Sequence, residues 1–173
     1  EEGETTVSAR TLFELIKSVP DDTNLNFEVK ENQLEISALS FQADLAILPV
    51  QDFPFVELED HNFSLNMNGD KFGKVLESTS FAMASADVRY YLNGLLLETS
   101  QKKINLVATD GHRLAWGSYS YSEDLEEKKI IIPRSTALEL QRILNIFPEE
   151  ISLSSNNSQL KVESDNFTFI SKL

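Results

Sequence analysis

Three neighbouring residues, Asp110, His112 and Arg113, are of the types that acid–base chemistry uses. An aspartate can orient a histidine imidazole, and the imidazole can transfer a proton near neutral pH. No nucleophile motif accompanies them, because the sequence has no cysteine and no Gly-x-Ser-x-Gly segment. Asp110 and Gly111 are also the pair that two-residue hairpin turns favour. The pattern therefore favours a turn, and a small hydrolase-like enzyme that uses these residues is the alternative.

The other histidine, His61, directly follows Glu59 and Asp60, which are possible metal ligands by type. Side chains of consecutive residues point in different directions, so the three are poorly spaced for one ion. We therefore expect no catalytic residue, no metal site and no cofactor.

The charges of the chain are unevenly distributed. Its 173 residues carry 15 Lys and Arg against 28 Asp and Glu, a net charge of −13. This excess argues against a protein that binds nucleic acid over its whole surface, because phosphate contacts need cations. The predicted helices over 8–19, 70–84 and 133–144 nevertheless hold six basic residues against four acidic ones. A local basic face can contact phosphates, since salt screens fields beyond about 10 Å; solvated helix faces are the alternative explanation.

The chain contains an internal repeat, in which residues 7–19 resemble residues 132–144 at an offset of 125. Downstream, Gln33 and Leu34 correspond to Gln159 and Leu160. Apolar residues of the first copy recur with helical spacing and then alternate as in strands. The sequence therefore predicts an α+β fold of duplicated helix-plus-antiparallel-strand units, with the helices on one face of the sheets.

The remaining elements follow from turn residues and alternation. We expect a linker over 49–62 between a first domain, 1–62, and a second domain, 63–173. Within the second domain we expect a strand over 88–99, in which one of Tyr90 and Tyr91 is buried and the other exposed. A charged loop is expected over 120–129.

Two strings in the middle of the chain resemble one family. Residues 87–94 read DVRYYLNG, and residues 108–114 read ATDGHRL. They resemble the second domain of the bacterial replicative sliding clamp family, the beta subunit of DNA polymerase III. The resemblance extends over the whole chain and implies the DNA clamp fold. It also implies that the chain corresponds to the second half of the first clamp domain plus the middle domain.

The resemblance implies a non-enzymatic processivity factor. In this family a head-to-tail homodimer closes a ring around duplex DNA, without sequence specificity, and tethers DNA polymerase III, clamp loader subunits and other partners through a peptide-binding groove. The matching groove positions are Leu92, Thr109, Gly111, His112, Arg113 and Leu114. The resemblance implies that Arg10, Tyr90 and Tyr91 lie near DNA. The basic helix faces predict four further DNA contacts, Lys71, Lys74, Arg134 and Arg142.

The resemblance also implies a bacterial cytoplasmic protein that associates with the nucleoid. The net charge of −13 and the lack of a long apolar run predict that it does not bind membranes. A generic protein-interaction module unrelated to replication is the second alternative.

Overall fold

The computed structural model describes residues 3–38, 41–54, 56 and 60–173. The chain divides into two compact units, Glu1–Glu57 and Leu58–Leu173. Glu59, considered above as a metal ligand, lies outside the described residues.

The first unit is one helix followed by a three-stranded antiparallel sheet. Helix α1 begins after Ser8, whose hydroxyl accepts a hydrogen bond from the Thr11 amide at 3.3 Å. Such a side-chain acceptor satisfies an amide that has no partner inside the helix. The elements are α1 (Ala9–Lys17), β1 (Asn26–Lys30), β2 (Gln33–Ala38), β3 (Phe41–Ala46) and a 3-10 turn at Val50–Asp52, with the strands in the order β1-β2-β3.

The second unit has two helices and two antiparallel sheets, ordered β4-β7-β8-β9 and β5-β6. Helix α2 begins after Asn68, whose Oδ1 accepts from the Lys71 amide at 3.0 Å. The elements are β4 (Phe63–Asn68), α2 (Gly69–Ser80), a 3-10 turn at Tyr90–Leu92, β5 (Gly94–Thr109), β6 (Leu114–Pro133), α3 (Arg134–Ile146), β7 (Glu150–Ser155), β8 (Gln159–Glu163) and β9 (Thr168–Lys172).

The two cores differ in size. In the first unit Leu34, Ile36 and Leu45 form a small buried cluster. The core of the second unit draws on both helices and on β4 to β8, and it includes the fully buried Phe72, Leu76 and Leu140. Helices α2 and α3 also pack on each other, because Gly73 leaves room for Leu144 beside it.

The predicted repeat is confirmed at the level of topology. In both copies a helix is followed by a meander of three antiparallel strands, α1-β1-β2-β3 in one and α3-β7-β8-β9 in the other. Strand β2 begins at Gln33 and strand β8 at Gln159, as the sequence match requires. The predicted α+β fold of duplicated helix-and-strand units is therefore confirmed.

Several local predictions are wrong. Residues 88–92 are not a strand but lead into the 3-10 turn, and both Tyr90 and Tyr91 are exposed. Residues 120–129 are not a loop, because they belong to strand β6, which pairs with β5. Helix α2 ends at Ser80 rather than at residue 84.

The β5–β6 pair has an irregular centre. Its register shifts on both sides of Gln101, whose φ is +50°. An extra residue in one strand locally disrupts the ladder and increases the twist. The irregularity therefore divides the ribbon into two regular stretches, and the one nearer the turn runs from Lys103 to Thr109.

No helix in the described ranges is long and apolar enough to cross a membrane.

Candidate functional site

The turn that carries five of the predicted groove residues is fixed by its own side chains. It connects Thr109 to Leu114, which face each other at the end of the β5–β6 pair, so the loop has four residues rather than the expected two. The Thr109 hydroxyl donates to the Arg113 carbonyl at 2.7 Å and accepts from the Gly111 amide at 3.1 Å. Gly111 has a φ of +89°, a conformation that glycine adopts without strain.

Asp110 acts as the acceptor inside this turn. Its Oδ1 accepts from the amides of His112 and Arg113, both at 3.0 Å, and its Oδ2 accepts from Arg113 Nε at 3.1 Å. These donors hold the pKa of the Asp110 carboxyl below its usual value, the His112 amide most strongly. A carboxylate engaged by three donors is a poor proton acceptor, so the geometry gives the hydrolase-like alternative no support.

Arg113 joins the turn to the end of helix α2. Its Nη2 donates to the Phe81 carbonyl at 3.0 Å, and its guanidinium lies 5.6 Å from the centre of the Phe81 ring. An arginine over an aromatic face is favourable because of the ring quadrupole. The turn is thereby held against the segment that follows α2.

A second network shapes residues 87–93. The Asp87 carboxylate accepts from Arg89 through its amide at 2.8 Å, Nε at 3.0 Å and Nη2 at 2.9 Å. Asn93 closes the segment, since its side chain accepts from the Asp87 amide and donates to the Asp87 carbonyl, both at 2.8 Å. The hydrogen bonds from Arg89 lower the pKa of Asp87 to about 2.

The two networks meet at Gly111. A Cβ atom added to this glycine would lie 3.2 Å from Arg89 Nη2. Leu92, from the segment held by Arg89, is half-buried, whereas Leu114 is 65% exposed. Arg89 therefore brings the segment that contains Leu92 beside the turn that contains the other five predicted groove residues.

A cavity of ≈ 430 Å³ opens between these elements. Two predicted groove residues, His112 and Arg113, line it together with Arg134, which was predicted as a DNA contact. Its remaining wall comes mainly from the segment after α2, with Phe81, Met83 and Asp87 among its residues.

The predicted DNA contacts of the second unit differ in their exposure and in whether they already pair with other groups. Tyr90 and Tyr91 are 83% and 51% exposed, and their rings pack edge to face with centroids 6.0 Å apart. Lys71 lies 5.9 Å from the Tyr119 ring centre. These exposed groups can reach a ligand without breaking an ion pair seen among the described residues.

The other helix cations of the second unit already have partners. Lys74 pairs with Asp70 at 2.7 Å, and Arg142 pairs with Glu139 at 3.3 Å. The half-buried Arg134 donates through Nη1 to the Met83 carbonyl at 3.2 Å. The surface pairs are weak and can exchange for phosphates. Arg10 lies exposed on α1, in the first unit.

The described residues contain no group of three or more His, Cys, Asp or Glu that could hold a metal ion. His61 Nε2 and Ser155 Oγ are buried and have no hydrogen-bond partner within the described ranges.

Sequence reasoning missed the residues that support the site. The sequence assigns Asp87, Arg89 and Asn93 only to the 87–94 string of the resemblance. It predicts no role for Phe81 beyond its place in the helix over 70–84. A sequence signal for the contact between Asp87 and Arg89 does exist. An aspartate two residues before an arginine can accept hydrogen bonds from both the amide and the guanidinium of that arginine. The Phe81–Arg113 contact joins distant parts of the chain and has no local signal.

Two family models match the chain. The model of the DNA polymerase III beta subunit, central domain, matches residues 66–173, and that of the N-terminal domain of the same subunit matches residues 1–57. The first match alone covers more than half of the chain.

Curated relatives agree with these matches. The beta sliding clamp of Pseudomonas putida is 41% identical over 174 residues, and that of Escherichia coli strain K12 is 34% identical over 175 residues. Each alignment covers 100% of this chain and 47% of the relative. The chain thus spans about half the length of the curated relatives it matches.

A solved structure gives the same result. The sliding clamp (DNA polymerase III subunit beta) of Pseudomonas aeruginosa bound to griselimycin superposes with a TM-score of 0.95 and 38% identity, covering 99% of this chain and 47% of that one. The duplicated modules, the 87–94 and 108–114 strings and both family models thus agree, and the chain belongs to the DNA polymerase III beta subunit family, the sliding clamps.

Proposed function

We propose that this chain is part of a sliding clamp, a processivity factor that tethers the replicative polymerase to duplex DNA without catalysing a reaction. Residues 1–62 would supply half of a clamp domain with its linker, and residues 63–173 the complete middle domain. The observation that carries the proposal is the match of the central-domain model to residues 66–173. It is supported by the surface of 87–93 and 109–114, where Arg89 packs against Gly111 and Arg113 bonds to the Phe81 carbonyl.

The tethering surface is a peptide groove formed by Leu92, Thr109, Gly111, His112, Arg113 and Leu114. Leu92 and Leu114 offer apolar contact, while the bare backbone of Gly111 permits close approach. Arg113 keeps part of its guanidinium exposed beside the turn. A partner would bind as an extended, apolar-rich segment.

A titration of the isotope-labelled 173-residue chain tests this groove. Short synthetic peptides, in which leucine and phenylalanine alternate with polar residues, should shift the amide signals of Leu92, Gly111 and Leu114. We expect dissociation constants weaker than about 10 μM, because half the groove of a complete clamp would come from residues beyond this chain. Shifts confined to another face would contradict the assignment.

The ring would hold DNA by topology rather than by tight contacts. Arg10, Tyr90, Tyr91 and the helix cations Lys71, Lys74, Arg134 and Arg142 would face the duplex. Phosphates need only cations, and exposed aromatic rings can stack on bases without reading them. The local cations would operate against a net charge of −13, so intrinsic affinity is expected to be low.

Fluorescence anisotropy of a labelled duplex tests this mechanism. Binding should be weak at low salt and vanish near about 150 mM salt, where fields extend only about 8 Å. Each phosphate contact should add about −0.9 to the logarithmic salt slope. Tight, salt-resistant or sequence-selective binding would contradict tethering by topology.

The complete protein would be a ring-shaped homodimer in the bacterial cytoplasm, associated with the nucleoid. Its partners would be DNA polymerase III, clamp loader subunits and other proteins that carry groove-binding segments. Pull-down with the complete protein, with and without the Leu114→Ala substitution, tests this set of partners. Polymerase capture that is indifferent to the substitution would contradict a shared groove.

A further inference from the structure

An exposed tryptophan lies beside the groove and has no role in the function proposed above. Trp116 is the single tryptophan of the chain and is 66% exposed. Its indole nitrogen lies 3.4 Å from Asn105 Oδ1, a long hydrogen bond, and its ring is otherwise open to solvent. Burying an aromatic side chain removes a large apolar area from water, so an exposed tryptophan can contribute strongly to binding.

Strand geometry places Trp116 on the same face as Leu114. Side chains two residues apart on a strand point the same way, and Ala115 between them is buried. Across the pair, Thr109 faces Leu114 and Val107 faces Trp116. The opposite face of this ribbon packs inward, since Leu106 and Ala108 are buried and Gly117 lies against α2. The outer face thus continues the apolar surface of the groove.

The spacing along this face fits an extended peptide. Leu114 and Trp116 are two residue steps apart along the strand, about 6.6 Å. Alternate side chains of an extended peptide have the same separation, so a peptide that seats one side chain on Leu114 can place the next same-face side chain on Trp116. The neighbouring Val107 is half-buried and widens the contact.

We propose that Trp116 forms an additional subsite of the peptide groove, which selects partners with an apolar or aromatic side chain two residues outside the segment that occupies Leu92 and Leu114. This inference rests on the proposed peptide-binding function. The occupant is an extended segment of a partner protein, continuous with the segment in the groove. Trp116 would discriminate among partners, while Leu92, Gly111 and Leu114 would bind the part that they share.

Paired peptides test the subsite on the 173-residue chain. The two peptides of a pair share one apolar core and differ in a single residue two positions outside it, which is phenylalanine in one peptide and alanine in the other. One such pair carries the variable residue before the core, and a second pair carries it after the core. We expect the phenylalanine member of one pair to bind about fivefold more tightly than its alanine partner. Trp116→Ala should remove this preference and leave the affinity for the alanine peptide unchanged.

The controls are matched to Trp116. Ile146, at the end of α3, is 69% exposed, and Ile146→Ala should keep the fivefold preference. Trp116→Phe should keep most of it, because an aromatic face remains. The emission of Trp116 provides an independent measure and should shift only with the phenylalanine peptide. Circular dichroism verifies that each variant is folded.

The outcomes separate this inference from the proposed function. Amide shifts at Leu92 and Gly111, with unchanged Trp116 emission and no flank preference, would overturn the subsite and leave the groove intact. Absence of amide shifts with every peptide would overturn both. If Trp116 emission instead changed with protein concentration alone, a second copy of the chain would cover this face, and the subsite would be refuted.

Discussion

The first unit and the second half of the second unit contain the same module, yet they bury their helices to very different extents. Helix α3 buries Thr136, Ala137, Leu140 and Leu144, whereas α1 has no buried residue and Phe13 is 63% exposed. The difference arises in the second unit, where α2 packs on α3 and β4 pairs with β7. A single module therefore buries little of its helix against its own sheet. Further burial of the helix requires contacts with a second module.

The strands show the same contrast. Strand β7 has a neighbour on each side, and its alternate residues Ile151 and Leu153 are buried. Strand β1 is at the edge of its sheet within the described residues, and all five of its residues are exposed. Edge strands that expose apolar side chains such as Phe27 and Val29 are prone to further pairing.

Truncation of equivalent leucines should give the largest effect. Leu140 of α3 corresponds to Leu15 of α1 at the repeat offset, but Leu140 is fully buried and Leu15 only half-buried. Leu140→Ala should lower the free energy of unfolding of the second unit by about 3–4 kcal/mol, because a cavity forms in its core. Leu15→Ala should cost the first unit about 1 kcal/mol.

Urea unfolding monitored by Trp116 emission reports on the second unit, and amide exchange in β2 reports on the first. Leu140→Met is the control and should cost less than about 1.5 kcal/mol. Equal losses at the two leucines would break the comparison.

The helix starts offer a second test. A Cβ atom on Gly69 would collide with the Glu149 carbonyl oxygen and would lie 3.3 Å from Leu144 Cδ2. Gly69→Ala should therefore destabilise the second unit by about 2–3 kcal/mol, since the neighbouring backbone must move. The exposed Ala9 opens α1, and Ala9→Gly should cost only about 0.5–1 kcal/mol. Thermal unfolding of both variants measures the difference, and a Gly69→Ala chain as stable as the parent would refute the close packing.

The cap of α1 should matter about as much to its helix as the partial burial of Leu15 does. Ser8→Ala removes the acceptor for the Thr11 amide and should cost about 1 kcal/mol. Because no α1 residue is buried, the loss should appear as faster amide exchange along this helix. Ser8→Asp is the control and should restore protection. If exchange along α1 is unchanged in Ser8→Ala, packing rather than capping holds the helix.

The smallest effects should come from pH, in opposite directions for the two units. Hydrogen bonds from Arg89 lower the pKa of Asp87 from 3.8 to about 2, so the contribution of Asp87 is present above pH 4 and is lost as the pH falls toward 2. Hydrogen bonds to Glu35 and Glu28 raise the pKa of Lys30 above 10.5, so its contribution is present below that pH and is lost above it.

Amide signals of Asn93 and Lys30 should report these transitions separately. Asp87→Asn should abolish the acid transition at Asn93 and leave the alkaline transition at Lys30 unchanged. An acid transition that persists in Asp87→Asn would assign it to another carboxyl group.

Local patterns in the sequence predicted the elements that depend on local interactions. Helix α1 and the strands after it follow from helical spacing and strand alternation, and the start of β8 at Gln159 follows from its match with Gln33 in the internal repeat. The irregular segment at 88–92 does not, because Asp87, Arg89 and Asn93 fold it through side-chain bonds that override its strand-like composition. The charged residues at 120–129 form a strand because β5 supplies the pairing partner.

The groove residues are predicted by resemblance rather than by chemistry. Asp110, His112 and Arg113 first suggested acid–base chemistry, whereas the structure uses Asp110 to cap a turn. This turn lies beside the segment that contains Leu92 because Arg89 packs against Gly111. No rule of spacing relates these residues, which are far apart in the chain, so only a fold could bring them together.

The pairing of β4 with β7 has a consequence for how the second unit folds during synthesis. Asn68 contacts Glu150, 82 residues later, although β4 is the first strand of the unit. At a synthesis rate of about 5–20 residues per second, β4 waits about 4–16 s for its partner to emerge. During that time Phe63, Leu65 and Met67 have no finished core, and the intervening Ser64 and Asn66 keep the waiting strand half polar. Long-range pairing slows folding, so closure of this sheet is expected to be a late step that follows formation of the local β5–β6 ribbon.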